Sequence, residues 1–178
     1  MSIYGLAKKL RTYILLSLNS KVKRFGKNPH LGKGVVMWAL DSIVLGDNFY
    51  MGRYSSIECN ATIGDGVLIS NYVQILGKYD HDYTQIGTHI RSAKEIRNIG
   101  FDFRLSDNHV IIEDGVWIGA GSVILSGCII GRGSIIAAGS VVVRDVSPYS
   151  IVGGNPVRKI SERFTADEIK RHEQKLYR

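Results

Sequence analysis

The sequence predicts an all-β solenoid with a helix at either end, and three observations predict it. Aliphatic residues lead every sixth position at Leu45, Met51, Ile57, Ile63, Ile69 and Ile75, and again at Ile112, Ile118, Ile124, Ile130, Ile136 and Val142. Four positions behind runs a second track: Phe49, Ser55, Ala61, Val67, Val73 and Tyr79, then Val116, Ser122, Cys128, Ser134, Ser140 and Val146. Glycine or another small or acidic residue follows many leads, as at Gly46, Gly52, Gly64, Gly119, Gly131 and Ala137, which is the mark of a tight bend. A period of six is even, so it stays in phase with the two-residue alternation of a strand and points both tracks to one side. An α-helix, at 3.6 residues per turn, cannot hold that phase. Each unit is then a short flat face, unstable alone, and stacking buries the two tracks as one column. Ser122, Cys128, Ser134 and Ser140 suit inward corners where larger side chains crowd the axis.

One domain of 178 residues can bury such a core without disulfides. Ahead of the repeat, Ile3, Leu6, Ala7, Leu10, Tyr13, Ile14 and Leu18 follow helical spacing, with Lys8, Lys9 and Arg11 largely off the stripe. Residues 1–28 therefore read as a basic amphipathic arm. Residues 1–40 hold eight Lys or Arg and no acid, against a net charge of +7 for the whole chain. Such an arm either caps the open end of the solenoid or meets an anionic bilayer peripherally, helped by Lys21, Lys23, Arg24 and Lys27. The run Tyr13–Leu18 is too short to span a membrane, and no small-residue cleavage site follows it. Cys59 and Cys128 form no CxxC pair. These features fit a cytoplasmic, reducing location.

The repeat loses register between Ile75 and Ile112, 37 residues apart and not a multiple of six. The polar stretch 80–110, with Gly87 and Gly100, reads as a long excursion, and such loops on a rigid scaffold are usually functional. At the far end, Thr165-Ala166-Asp167-Glu168 is a capping box that opens a helix within 161–178, carrying Ile169 and Leu176.

The aliphatic-small-x-x-small-x pattern over roughly residues 31–160 resembles the hexapeptide-repeat acyltransferases. That resemblance implies a left-handed parallel β-helix, here 29–160, in which three units make one triangular coil and three chains a homotrimer. It also implies acyl transfer from acetyl-CoA. Acetyl transfer from a thioester to a hydroxyl needs a base for the proton and donors for the developing oxyanion. Imidazole, with an unperturbed pKa near 6.5, is the natural base, and the chain has five: His30, His81, His89, His109 and His172. His81, in Tyr79-Asp80-His81-Asp82-Tyr83, stands where the coils end and the excursion begins. The family's catalytic histidine occupies this place, and the His-Asp-Tyr string is similar to that of acetyltransferases acting on bacterial surface polysaccharides. Asp80 or Asp82 is expected to orient the imidazole or bind the acceptor, and His89 and His109 are candidate substrate contacts.

Val116-Trp117-Ile118-Gly119-Ala120 resembles the family motif whose last backbone N–H points at the thioester carbonyl, so Ala120 is the expected oxyanion donor. Trp117 shapes either the acceptor or cofactor channel or a subunit interface. Ile136-Ala137-Ala138-Gly139-Ser140 matches the segment whose backbone meets pantetheine, through Ala138. Arg144 stands where the family often carries a basic residue near the adenosine end. Gly153-Gly154-Asn155-Pro156-Val157-Arg158-Lys159-Ile160 is similar to the family's ending, with Arg158 and Lys159 suited to nucleotide phosphates. Where the galactoside and maltose acetyltransferases have an acceptor-binding Asn, this chain reads Tyr50-Met51-Gly52-Arg53, so the acceptor is not carried over. A sugar hydroxyl in surface polysaccharide synthesis is the first expectation, and N-acetylation of an amino sugar or drug the alternative. No metal is expected, because the γ-carbonic anhydrases that share this fold use a closely spaced histidine pair that is missing here. A non-catalytic or nucleic-acid-binding scaffold fits less well, since the excess charge is confined to the arm.

Overall fold

A computed structural model describes residues 3–176. Three parallel sheets wind a left-handed prism. Sheet A stacks Val22–Phe25, Ile43–Leu45, Asn60–Ile63, His109–Ile112 and Ile129–Ile130. Sheet B stacks His30–Leu31, Tyr50–Met51, Leu68–Ile69, Trp117–Ile118, Ile135–Ile136 and Ser150–Gly153, and ends on an antiparallel strand, Arg158–Glu162. Sheet C stacks Val36–Met37, Ser56–Glu58, Gln74–Leu76, Val123–Leu125 and Val141–Val142. All twelve lead residues are buried. Their followers are buried too, except Tyr79, where the chain leaves the prism. Stacked backbones approach closely at the corners: a Cβ on Gly119 would lie 2.5 Å from the Ala138 nitrogen, so no larger residue fits. The inward serines are structural, Ser122 and Ser140 both donating to the Ala137 carbonyl.

The prism begins earlier than residue 29. Phe25, Leu31 and Met37 continue the six-residue track and pair with Leu45, Met51 and Ile57. An eight-residue step from Met37 to Leu45 hides this first coil from a search for strict period six. The segment 1–28 thus divides into helix α1 (Ile3–Leu18) and the first strand of sheet A.

Helix α1 lies on the first strands of sheets A and B, but not on the face its pattern suggests. Thr12 and Leu16 are buried against the prism, and the Tyr13 ring meets Phe25 edge to face at 5.8 Å. Leu6, Leu10, Ile14 and Leu18 are exposed on the other side; the side chain of Ile3 lies outside the described residues. The reason is hydrogen bonding. The first coil presents unpaired backbone groups, which are costly to cover with hydrocarbon. Arg11 donates to the carbonyls of Leu31 and Gly32, and Thr12 Oγ1 accepts from Leu31 N–H. No helix among the described residues is long and apolar enough to cross a membrane.

At the other end, helix α2 (Ala166–Leu176) follows the antiparallel strand rather than starting at residue 161. Its capping box forms as expected: Glu168 Oε2 accepts from Thr165 N–H at 2.8 Å, and Glu168 N–H donates back to Thr165 Oγ1. Glu173 ties it to the prism by accepting from Tyr149 Oη at 3.0 Å and pairing with Arg132. His172 packs in the same cluster, 5.1 Å from Phe164, and has a structural role.

The excursion leaves at the corner between sheets C and A. Registers Ile63↔Ile112 and Ile75↔Ile124 place its two ends one ordinary step apart. Of the 37 residues from Ile75 to Ile112, six are that step and 31 are the loop. The loop packs around buried Ala93, Ile96 and Phe101. Tyr79, Tyr83 and Phe103 meet edge to face or tilted, and Arg104 lies over the Tyr79 ring while donating to its hydroxyl at 3.0 Å. It is therefore an ordered platform for its first histidine.

Candidate active site

His81 is fixed by backbone bonds on either side: Asp82 N–H donates to Lys94 and Ile96 N–H to Asp80, both at 2.9 Å. Its side chain lines a cavity of about 160 Å³ with Trp38, Glu58, Asp80, Glu95 and Arg97. The imidazole Nδ1 is buried without a partner among the described residues, and so is Asp80 Oδ1. His81 Nε2 is neither buried nor engaged among the described residues, which leaves it as the nitrogen able to meet a substrate. Burial pushes the Asp80 carboxyl above its usual range; His81 pulls it down, Glu58 pushes it up, and Arg97 and Glu95 act in the same opposed senses. Asp80 folds back over Gly77, where a Cβ would come within 1.9 Å of its Oδ1.

Asp82, expected as an acceptor or imidazole contact, is instead a turn residue. Its carboxylate accepts from Thr84 Oγ1 at 2.6 Å, Thr84 N–H at 3.0 Å and Gln85 Nε2 at 3.3 Å, and the Thr84 hydroxyl above all holds it below the usual carboxylate range. The acid beside His81 is Asp80. His89 closes a short 3₁₀ turn through its carbonyl. His109 is a strand residue whose Nε2 lies 2.9 Å from Thr62 Oγ1. Neither lines the His81 cavity.

The expected coenzyme residues gather elsewhere, along the corner between sheets B and C. Tyr54 N–H bonds Lys33, Tyr72 N–H bonds Arg53, Gly121 N–H bonds Asn71, and Gly139 N–H bonds Ala120, each through the carbonyl and all at 2.9–3.0 Å. Lys33, Arg53, Asn71, Ala120 and Ala138 thus stack as rungs, about 4.8 Å apart. At the corner between A and B, the matching N–H groups are satisfied by carboxylates: Lys27 by Asp47, Asp47 by Asp65, and Asp65 by Asp114, at 2.6–2.8 Å. Alanine cannot do this. Gly119 and Gly121 bond to Ile136 and Asn71, Ala137 and Gly139 to Val152 and Ala120, and the Ala120 and Ala138 N–H groups between them have no acceptor among the described residues. Both alanines are exposed, and their N–H groups, one rung apart, stay without an acceptor among the described residues, as does that of Asn71 on the rung before. An aspartate repeating every 18 residues at Asp47 and Asp65, then replaced by alanine on a neighbouring corner, is the sequence signal that would reveal this contrast.

Past Ala138, Arg144, Arg158 and Lys159 surround a second cavity of about 160 Å³. Arg144 donates to the Val157 carbonyl, and Lys159 pairs with Glu162 on the surface. Trp117 lies on the outer face of sheet B, half exposed, between Leu68 and Ile135, with its Nε1–H on Ser70 Oγ at 3.2 Å. Burial pushes the thiols of Cys59 and Cys128 up to about 12 and about 11, so neither is a thiolate nucleophile near neutral pH.

His81 and Ala120 do not meet within one chain. Ala120 precedes sheet C and His81 follows it, with Val123↔Gln74 and Leu125↔Leu76 in register. The five-residue run along one edge, at about 3.3 Å each, separates them by roughly 16 Å.

Residues 109–144 match the family described as bacterial transferase hexapeptide (six repeats). A chloramphenicol acetyltransferase of Klebsiella aerogenes is 49% identical over 67 residues, 38% of this chain and 31% of that protein, so the match spans less than a third of the relative. A putative acetyltransferase of Dictyostelium discoideum is 38% identical over 123 residues, 68% of this chain and 58% of its own length. Among solved structures, a galactoside acetyltransferase in complex with coenzyme A aligns with a TM-score of 0.61 and 25% identity, covering 94% of this chain and 86% of that one.

Proposed function

This chain is a hexapeptide-repeat protein of the left-handed β-helix type, and from that premise we propose that it is an acetyl-CoA-dependent O-acetyltransferase acting on a sugar hydroxyl. The observation that carries the proposal is the pair of unsatisfied N–H groups at Ala120 and Ala138, aligned with Arg144, Arg158 and Lys159. A pantetheine amide chain needs backbone donors in a row, and the nucleotide phosphates need cations at one end of it. Trp117 flanks this row.

Catalysis on this reading requires two copies of the chain. Ala120 of one and His81 of another face the same substrate, which resolves the separation across sheet C. Ile86 and Ile99, fully exposed on the excursion loop, supply apolar surface for that contact, and a homotrimer closes it with three equivalent sites. His81 Nε2 takes the acceptor hydroxyl proton as the oxygen attacks the thioester carbonyl. Ala120 N–H holds the oxyanion, and the departing coenzyme A thiolate takes the proton back from the imidazolium. Exposed aromatic rings near the corner, Tyr54 and Tyr72 stacked at 5.6 Å, suit the faces of a sugar. They hold left-handed φ values of 56° and 60°, where other coils place Gly121 and Gly139, at about 1–2 kcal/mol each. The acetyltransferase relatives support acetyl transfer, and the role in surface polysaccharide synthesis rests on the His81-Asp82-Tyr83 resemblance.

Mixing variants tests the shared site. His81→Ala is expected to lose acetyl-CoA hydrolysis, and the double variant Arg158→Ala/Lys159→Ala to slow it at least tenfold at coenzyme concentrations that half-saturate the wild type. Co-refolded, they should regain activity, because some interfaces combine an intact coenzyme row with an intact His81. No recovery in verified mixed oligomers would place base and coenzyme in one chain and overturn the two-copy site.

A further inference from the structure

Helix α1 covers the first coil with one face only. Thr12 and Leu16 turn toward the prism, whereas Leu6, Leu10, Ile14 and Leu18 are 55%, 60%, 47% and 79% exposed, with Leu15 beside them at 48%. At about 100° per residue, Leu6, Leu10, Ile14 and Leu18, with Ser17 among them, form a stripe almost opposite the Thr12–Leu16 face. A helix that only caps carries polar residues on its outer side. Five large apolar side chains kept in water along one helix mark a contact surface instead.

The charges around the stripe say what covers it. Lys9 borders it on the helix, and the strand Val22–Phe25, against which α1 packs, carries Lys23 and Arg24 at exposed positions, followed by exposed Lys27. None of these four side chains has a hydrogen-bond or ion-pair partner among the described residues, and residues 1–40 contain no Asp or Glu. Lys21, from the same run, is spent inward on the Leu40 carbonyl at 2.6 Å. We propose that the outer face of α1 docks on the surface of an anionic lipid bilayer, with the stripe sunk into the headgroup boundary and Lys9, Lys23, Arg24 and Lys27 meeting lipid phosphates. An interfacial helix lies in the membrane plane with its apolar side buried about 5–10 Å deep. Lysine stems follow the hydrocarbon while their ammonium groups stay at the headgroups, and a negatively charged leaflet attracts cations only within a Debye length or so. A second copy of the chain fits this face less well. A stable protein interface takes about 20–30 residues a side, and pairing two stripes would bring both sets of cations together with no acid from residues 1–40 between them. α1 thus has two tasks: Arg11 and Thr12 satisfy the strand edge, and the opposite face holds the molecule to a surface. The proposal does not depend on the acetyltransferase reading.

Vesicle flotation of the full chain tests it, using vesicles of phosphatidylcholine alone and of phosphatidylcholine and phosphatidylglycerol in equal parts. Wild type is expected to float with the mixed vesicles at low salt, to partition at least about tenfold more weakly onto phosphatidylcholine alone, and to be released as salt rises. Leu10→Gln/Ile14→Gln adds no charge and changes exposed positions only, so it should keep the melting temperature and lose at least about tenfold in partitioning. Leu6→Gln/Leu18→Gln should do the same from the other two positions of the stripe. No flotation by wild type, or equal flotation of wild type and both variants, overturns the proposal. Equal partitioning onto the two kinds of vesicle overturns the part given to the cations. A wild type that does not float, and whose mass by light scattering falls in Leu10→Gln/Ile14→Gln, shows the stripe to be a contact between copies instead.

Discussion

His81→Asn is expected to bind acetyl-CoA with wild-type affinity and to lose about 10²- to 10⁴-fold in its turnover, the range attributable to a positioned general base. The reasoning is geometric. Nδ1 is buried, and the backbone on both sides of His81 is tied to the loop segment 94–96 by the bonds to Lys94 and Ile96. The imidazole is thereby aimed, leaving Nε2 as its working end. Asparagine keeps size and polarity but cannot shuttle the proton, so the loss falls on turnover rather than on coenzyme binding. Single-turnover acetyl transfer or slow acetyl-CoA hydrolysis, with binding measured alongside, reads both quantities. A variant that keeps its rate removes His81 from the chemistry, and one that also loses coenzyme binding gives it a structural role instead.

Ala120→Pro should cost about 10²- to 10³-fold in rate, the usual effect of removing one oxyanion donor. A side-chain change would test little, because the group is main chain. Proline removes the N–H and leaves the side-chain position otherwise unchanged in polarity. Ala120 N–H has no acceptor to lose, and Ala120 precedes Gly121, at φ 69°, the place before a left-handed residue where the fixed φ of proline is favoured. Thermal unfolding should therefore stay within a few degrees of wild type while the rate falls. An unchanged rate would place the oxyanion elsewhere. A collapsed melting temperature would show the N–H to be structural, and Ala120 replaced through a backbone ester would then separate the two effects.

The repeat was legible because each face obeys a strict local rule: an aliphatic lead and a follower four residues on, both buried everywhere except at Tyr79. Lead by lead, the sequence anticipates the core from Leu45 to Val142. The strict period starts one coil late, since two extra residues between Met37 and Leu45 break it without breaking the stacking; of the first coil, the bounds 29–160 hold Leu31 and Met37 and leave out Phe25. The orientation of α1 was not legible for a different reason. Helical periodicity marks where the apolar stripe is, whereas the exposed strand edge chose the face that carries Arg11 and Thr12.

The candidate site divides in the same way. His81, Ala120, Ala138, Arg144, Arg158 and Lys159 were named by motif and position; Ala120 and Ala138 share one corner, and Arg144, Arg158 and Lys159 line one cavity beyond it. The choice between Asp80 and Asp82 was beyond sequence, because it turns on which carboxylate Thr84 and Gln85 capture. The cavity beneath α1 was invisible for a similar reason: Arg11, Lys33 and Arg53 are far apart in the chain and line one space only once the helix and the first coils stack. Reading residues 1–28 as a basic arm concealed that two of its charges, Lys8 and Arg11, line a cavity rather than an outer surface.

Titration of acetyl-CoA into the purified full chain, beside the Arg158→Ala/Lys159→Ala double variant, tests the central claim most directly, since it needs no knowledge of the acceptor. The account expects saturable binding by wild type, at least tenfold weaker in the double variant. Absence of binding by wild type, or identical affinity in the two proteins, would contradict the assignment of the open corner at Ala120 and Ala138 to the coenzyme.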